Sequence, residues 1–337
     1  MPADEGCYAG DAREEVDRMR RNVLVGMGML PLAGMVLNPT KQAWALSNQV
    51  SMREDGRYRY IRSNAIPDHE TGSFPNRKNP NSIKAQSLEF RLPLNPTKGG
   101  RFSSIDHMSF GVAVNGVPFD PFTAEFWQRD RKSGWRYEAI SPTVDLGLDQ
   151  NNAHVQPDGT YHYHGLPTGL IKSWSPDQHS IRIGFAADGF PIYAMFGYSD
   201  PNNPASPVVA VRSSWRVKTG TRPSGPGGTY DGTFGEDFEF VPGLGDLDEA
   251  NGRETVTPEY PRGTYAYFVT ESFPFVPRML AGMPDRSFAK GPGGMGPGGQ
   301  AGGPGSGPGG APDQGRRPPP PGGGFPGQRP KFGQPPR

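Results

Sequence analysis

The chain has 337 residues, with 35 basic and 34 acidic side chains and a single cysteine. This charge balance argues against a nucleic-acid partner, and one cysteine excludes a disulfide framework. Glycine (48 residues) and proline (39 residues) are abundant but concentrated near the C-terminus, so composition alone does not describe the middle of the chain.

Residues 1–45 have the order of an export signal. Three arginines between positions 18 and 21 precede the apolar run NVLVGMGMLPLAGMVL, and the small-residue site Ala43-Trp44-Ala45 follows it. The run is short for a membrane span, so we expect cleavage after Ala45 and no integral span in the mature chain. The mature protein is then periplasmic or extracellular, and Cys7 is removed.

The stretch RRNVL at residues 20–24 is similar to a twin-arginine signal, which carries folded proteins. The serine or threonine that usually precedes the arginine pair is absent here, so general secretion and twin-arginine export both stay open. Residues 1–18 are acidic for the start of a signal, which makes Met19 an alternative first residue.

Short runs of β-forming residues, separated by turn residues, recur along residues 46–290, and helical periodicity is nearly absent. Their lengths predict one mainly antiparallel β domain with long loops, either a sandwich or a partly open barrel. The runs are YRYI (58–61), SLEFRLPL (87–94), MSFGVAVNGVPF (108–119), WRYEAI (135–140), TYHYH (160–164), SIRIGFAA (180–187), FPIYAMF (190–196), VVAVRSSWRV (208–217) and TYAYFVT (264–270).

The C-terminal segment, residues 291–337, is rich in glycine and proline, as in GPGGMGPGGQ and RRPPPPGGG. Too few apolar side chains are present to offset the chain entropy of folding, so we predict a disordered tail. Its weak positive charge leaves two roles open. It is either a solvated tether or an arm that contacts cell-wall or matrix polymer.

The segment HVQPDGTYHYHG, residues 154–165, predicts a hairpin with histidines on one face. The order Pro-Asp-Gly at 157–159 is typical of a three-residue loop closed by glycine. Such a loop places His154 opposite His162 and puts His164 on the same face. Tyr161 and Tyr163 then face the other way, where we expect core packing, with phenolic chemistry as the alternative. A two-residue loop would leave only the His162 and His164 pair.

Three imidazoles that converge on one side of a ribbon are a ligand set for zinc or copper. An open coordination position would suit hydrolytic or oxidative chemistry, whereas a fourth protein ligand would indicate a structural or transport site. The possible fourth ligands are His107, His179 and Asp188, each near the start of a β run. For His107, an ordinary polar residue at the start of a strand is an equal alternative. His69 lies in a turn-rich segment and is the weakest of the histidines in this respect.

The loop GDLDEANGR, residues 245–253, brings oxygen ligands close together at Asp246, Asp248 and Asn251. It is similar to a calcium loop but is one residue longer than the usual spacing. Calcium binding is therefore a secondary prediction, and a self-capping acidic loop is the alternative. No nucleotide-binding or nucleophile-elbow fingerprint is present in the chain.

Three blocks resemble the YHYH-domain family of exported proteins: HVQPDGTYHYHGLPTGL (154–170), DGFPIYAMFGY (188–198) and LDEANGRETVTPEYPRGTYAYFVTESFPFVPR (247–278). With SNAIPDHETGSFPN, the resemblance spans roughly residues 63–285. It implies an extracytoplasmic domain in which His162 and His164 are the candidate functional residues, but it implies no particular reaction. Family members often carry cysteines where this chain has Gly169, Ala250 and Met279, so the resemblance implies that those cross-links are absent here.

Two functional hypotheses follow from these patterns. The first is an exported metal-binding β protein of hydrolytic, oxidative or metal-handling chemistry. The second is a non-catalytic surface or extracellular module that binds polymer or protein. Both are compatible with the same fold, so the sequence leaves open whether the protein is an enzyme.

Overall fold

The computed structural model describes residues 46–291. The predicted export signal, residues 1–45, and the predicted tail beyond residue 291 lie outside the described residues. Within residues 46–291 the regular structure consists of 17 β strands and four short 3-10 turns, which confirms the prediction of a mainly β protein. In this part of the chain no helix has the length and apolar character that a membrane crossing requires.

The strands are mostly three to seven residues long, which agrees with the frequent interruption of the sequence by glycine and proline. They are β1 (Val50–Glu54), β2 (Tyr58–Ser63), β3 (Leu88–Pro93), β4 (Lys98–Ser104), β5 (Gly111–Ala113), β6 (Pro118–Phe119), β7 (Ala153–Val155), β8 (Tyr161–Tyr163), β9 (Arg182–Ala186), β10 (Pro191–Tyr193), β11 (Phe196–Tyr198), β12 (Val208–Ala210), β13 (Trp215–Val217), β14 (Phe238–Phe240), β15 (Gly252–Thr255), β16 (Thr264–Phe268) and β17 (Met279–Gly282). The 3-10 turns are Trp127–Arg129, Arg131–Ser133, Gly235–Asp237 and Arg286–Phe288.

An eight-stranded sheet forms the centre of the fold, in the order β15-β16-β10-β9-β5-β6-β8-β7. Neighbouring strands are antiparallel except for β10 with β16 and β6 with β8, so the sheet is mixed. Its two edge strands, β15 and β7, do not pair, and the sheet is therefore not a closed barrel. The hairpin that carries the histidines occupies one edge.

The central strands are buried on both faces. Every residue of β5, β8 and β10 is buried, so these strands lack the polar and apolar alternation of a half-exposed sheet. Loops and four smaller sheets surround the large one, with strand orders β1-β2-β3, β4-β17, β11-β12 and β13-β14. The histidine hairpin is consequently an interior element of the protein, although it lies at the edge of its sheet.

Strand β3 shows how the outer sheets contribute to the core. Leu88, Phe90 and Leu92 are buried, while Glu89 and Arg91 between them are exposed. This period of two puts three apolar side chains on the inner face, where each contributes about 1.5–3 kcal/mol of burial free energy. The outer sheet therefore covers the central one through ordinary hydrophobic packing.

Candidate metal centre

The hairpin between β7 and β8 positions the histidines through its turn. Gln156 N–H donates to the Thr160 carbonyl at 2.9 Å, which leaves a three-residue loop of proline, aspartate and glycine. Gly159 has a φ of 96°, a conformation that favours glycine, and Thr160 N–H donates to the Asp158 carboxylate at 2.9 Å. His154 pairs directly with His162 across the ladder. The register predicted from the turn is confirmed.

Three imidazoles meet on one face of this hairpin. The Nε2 atom of His164 lies 3.0 Å from Nε2 of His162 and 3.1 Å from Nε2 of His154. The three ligand atoms all lie within 4.8 Å of one another. Zinc–nitrogen bonds of 2.0–2.1 Å in a tetrahedral site place nitrogen ligands about 3.3 Å apart, so small side-chain movements would suffice to hold one ion.

Backbone carbonyls determine which ring nitrogens carry hydrogen. His154 Nδ1 donates to the Leu146 carbonyl at 3.0 Å, and His162 Nδ1 donates to the Thr160 carbonyl at 3.2 Å. Because a carbonyl can only accept, the Nε2 atom of each of these rings, in its neutral form, presents a lone pair towards His164. Metal-binding histidines in proteins usually donate their other ring N–H to a backbone carbonyl or a carboxylate, which fixes the orientation of the ring. The donor set therefore fits a cation.

Burial favours the neutral form of His162 and His164. The side chains of His162 and His164 are each 2% exposed, and His154 is 9% exposed. Burial, followed by the electrostatic interaction with His154, lowers the pKa of His162 to about 3. Burial, with the electrostatic interactions with the other two rings, lowers the pKa of His164 well below its ordinary value. Neutral imidazole is the form that binds a metal, so His162 and His164 require no deprotonation before they bind one.

Sequence comparison agrees with the motif at the centre of this site. A family model described as YHYH protein matches residues 89–282, which is more than half of the chain and includes all three histidines. This chain belongs to the YHYH family. The resemblance seen in the three sequence blocks is thereby confirmed. No curated protein and no solved structure matches the chain.

The tyrosines of the YHYH motif occupy the opposite face, as predicted from strand alternation. Tyr161 Oη donates to the Asp149 carboxylate at 2.7 Å, and Tyr163 Oη donates to Nε2 of His69 at 2.6 Å. Both phenols are fully buried, and burial raises the pKa of each above its ordinary value. The motif thus combines a histidine face with a hydrogen-bonded tyrosine face. His69 contacts the tyrosine face.

Two buried ion pairs lie near the histidine face of this YHYH protein. Phe119 pairs with Tyr163 in the parallel ladder, and their rings lie 5.4 Å apart, so Asp120 projects to the side of the histidines. Asp120 pairs with Lys290, and Glu138 pairs with Arg278. The Asp120 charge opposes the lowering of the His162 pKa, whereas Lys290 adds to it.

None of the predicted fourth ligands belongs to the histidine cluster. His107 is exposed. His179 is buried and packs against the Tyr193 ring with centroids 5.1 Å apart, while burial lowers its pKa. Asp188 is buried and accepts a hydrogen bond from Tyr267 Oη at 2.6 Å. Among residues 46–291, the three histidines are the only His, Cys, Asp or Glu side chains that meet as a possible metal group.

The predicted calcium loop is held together by its own hydrogen bonds. The Asp246 carboxylate accepts from Arg212 N–H at 2.8 Å, and Asp248 accepts from Tyr265 Oη at 3.0 Å. The Asn251 amide donates to a β16 carbonyl at 2.8 Å. These bonds correspond to the alternative of a self-capping loop, and calcium binding here stays a prediction from the sequence.

Sequence reasoning missed the groups that surround the histidines. Leu146 acts through its carbonyl, which no side-chain pattern reveals. Lys290 lies 170 positions after Asp120, so nothing local pairs them. A weak signal existed for Asp120 itself, since it follows Phe119 in an apolar run where a carboxylate is unexpected.

Proposed function

We propose that this YHYH protein binds one transition-metal ion, zinc or copper, through the Nε2 atoms of His154, His162 and His164. The main support is the convergence of these atoms, since His164 Nε2 lies 3.0 Å from that of His162 and 3.1 Å from that of His154. Backbone carbonyls orient two of the rings. The export signal read from residues 1–45 supports a site that acts in the periplasm or outside the cell.

The chemistry of the donor set narrows the choice of ion. Three imidazoles suit zinc and copper, whereas magnesium and calcium prefer carboxylate and carbonyl oxygens. No cysteine occurs among residues 46–291, so a blue-copper thiolate site is not formed within them.

Three protein ligands are typical of catalytic rather than structural zinc sites, because the fourth position is left to water or substrate. An ion bound here would acidify a water molecule, or, if redox-active, coordinate an oxidant. Hydrolytic and oxidative reactions are both consistent with this ligand set. The low exposure of the rings favours a dry site in which such electrostatic effects are strong.

Metal analysis of untagged protein tests the proposal. The wild-type protein, grown in medium replete with zinc and copper, is expected to retain a stoichiometric amount of one of them. His162→Ala and His164→Ala lose it, while His107→Gln, a change at an exposed histidine outside the cluster, retains it. A wild-type protein that binds neither metal, even when titrated after purification, would overturn the proposal.

A further inference from the structure

A half-open cavity of about 620 Å³ is lined in part by Leu146, a residue that also contacts the histidine cluster. One of its walls is Leu146, whose carbonyl accepts the hydrogen bond from His154 Nδ1 at 3.0 Å. His154 is also the most exposed of the three imidazoles, at 9% against 2% for each of the other two. The cavity thus shares Leu146 with the hydrogen-bonded surroundings of the most exposed imidazole, and its volume is in the range of small-molecule sites.

Two arginines in the cavity wall have no carboxylate partner. Arg129 and Arg131 line the cavity and are exposed, and neither forms an ion pair within residues 46–291. By contrast, the neighbouring Arg136 lies 3.8 Å from Asp106. Glu125 is the only acidic residue that lines the cavity, so the cavity carries a net positive charge.

Aromatic rings complete the wall. Phe126 and Tyr137 both line the cavity, and the guanidinium of Arg131 lies 5.6 Å from the centroid of the Phe126 ring. A planar guanidinium beside an aromatic ring is suited to a ligand with an oxyanion at one end and an apolar body at the other.

The backbone that carries these arginines is held in an uncommon conformation. Gln128 and Arg129 have φ values of 55° and 60°, in the left-handed region that residues other than glycine rarely adopt. Trp127 N–H donates to the Trp135 carbonyl, and Arg129 N–H donates to the Phe126 carbonyl within the turn, each at 2.9 Å. Consecutive residues of this kind are concentrated at binding sites, where the surrounding structure holds them in place.

We propose that this cavity binds a small organic oxyanion, a carboxylate or a phosphate ester with an apolar body, through Arg129 and Arg131. The assignment of this cavity as a substrate pocket rests on the metal centre proposed above. A ligand held there would contact a wall that includes Leu146, whose carbonyl orients His154. The proposal thus assigns a substrate class to a site that the histidines alone leave undefined.

Calorimetric titration with phenyl phosphate and benzoate tests this assignment, with benzyl alcohol as the neutral comparison. Wild-type protein is expected to bind at least one of the two anions and not the alcohol. In the double variant Arg129→Gln/Arg131→Gln, affinity falls about tenfold for each guanidinium removed, the size of a lost charged hydrogen bond. Glu125→Gln, which removes the negative charge from the wall, strengthens binding severalfold.

The matched control is Arg101→Gln/Arg262→Gln, which removes the same charge from two exposed arginines outside the cavity and is expected to bind like wild type. Failure of both anions to bind, or equal binding by the cavity variant and the wild type, overturns the inference. Metal content is measured on the same samples. Arginine-dependent anion binding without metal would refute the metal centre alone, and metal without anion binding would refute the pocket alone.

Discussion

Tyr163 donates its phenolic hydrogen to Nε2 of His69 at 2.6 Å, while its sequence neighbours His162 and His164 point to the opposite face of the same strand. The His69 nitrogen must accept, because its Nδ1 donates to the Glu70 carbonyl. The four residues of the YHYH motif therefore serve two faces. One face holds the imidazole cluster, and the other joins β8 to the segment that contains His69.

Removal of the Tyr163 hydroxyl should destabilise the fold without emptying the metal site. Tyr163→Phe loses the bonds to His69 and to the Asn115 amide at 2.9 Å, so we expect a loss of about 1–3 kcal/mol in unfolding free energy. Urea unfolding measures the loss, and metal analysis should give the wild-type content. Tyr58→Phe is the control, since this hydroxyl makes no hydrogen bond within the described residues. Loss of metal in Tyr163→Phe would show that the two faces are not separable.

Metal binding should stabilise the protein by mass action. At a free zinc or copper concentration of 100 times Kd, the unfolding free energy is expected to rise by about 2.7 kcal/mol. Thermal unfolding with and without a chelator measures this difference. The variant His162→Ala/His164→Ala should show no chelator effect, because the cluster is lost. If chelation lowers the Tm of this variant as much as that of wild type, the stabilising ion lies elsewhere.

Acid should destabilise the metal-free protein through His162. Its pKa of about 3 in the folded state lies below the ordinary value of 6.5, so the unfolded chain binds more protons between these values. Stability is then unaffected above about pH 6.5 and falls progressively towards pH 3, by on the order of a few kcal/mol. Urea midpoints at pH 7, 5 and 4 should decline less steeply in His162→Gln. Identical slopes for the two proteins would contradict the assigned burial effect.

The turn glycine should be required for the register of the hairpin. Gly159 has a φ of 96°, and a Cβ atom there would lie 2.6 Å from the Lys84 Cβ. We expect Gly159→Ala to cost about 1–3 kcal/mol and to weaken metal binding, because the change both strains the backbone and displaces the loop. Gly56→Ala is a matched control, since its φ is 88° but no atom lies within 4 Å of its Cβ. If both variants lose the same unfolding free energy, backbone strain alone accounts for the effect of Gly159→Ala.

The histidine hairpin was predictable because its causes are local. The loop residues 157–159 determine the register over a span of ten residues, and strand alternation then assigns His164 to the same face. The mainly β fold was predictable for a similar reason, since short β-forming runs between turn residues are read directly from the chain. The two parallel strand pairs were not expected, because pairing between distant strands depends on topology rather than on local pattern.

The sequence by itself determined that His162 and His164 share one face of a strand with two tyrosines on the other, and it predicted that a three-residue loop adds His154. Only the tertiary structure decided what surrounds them. Leu146, Asp120 and Lys290 lie on the histidine side. On the other side, Tyr163 forms a hydrogen bond with His69. Asp188 lies outside the cluster and accepts a hydrogen bond from Tyr267. The physical reason is separation along the chain: turn and strand geometry act between near neighbours, whereas contacts between distant residues depend on how the whole chain packs.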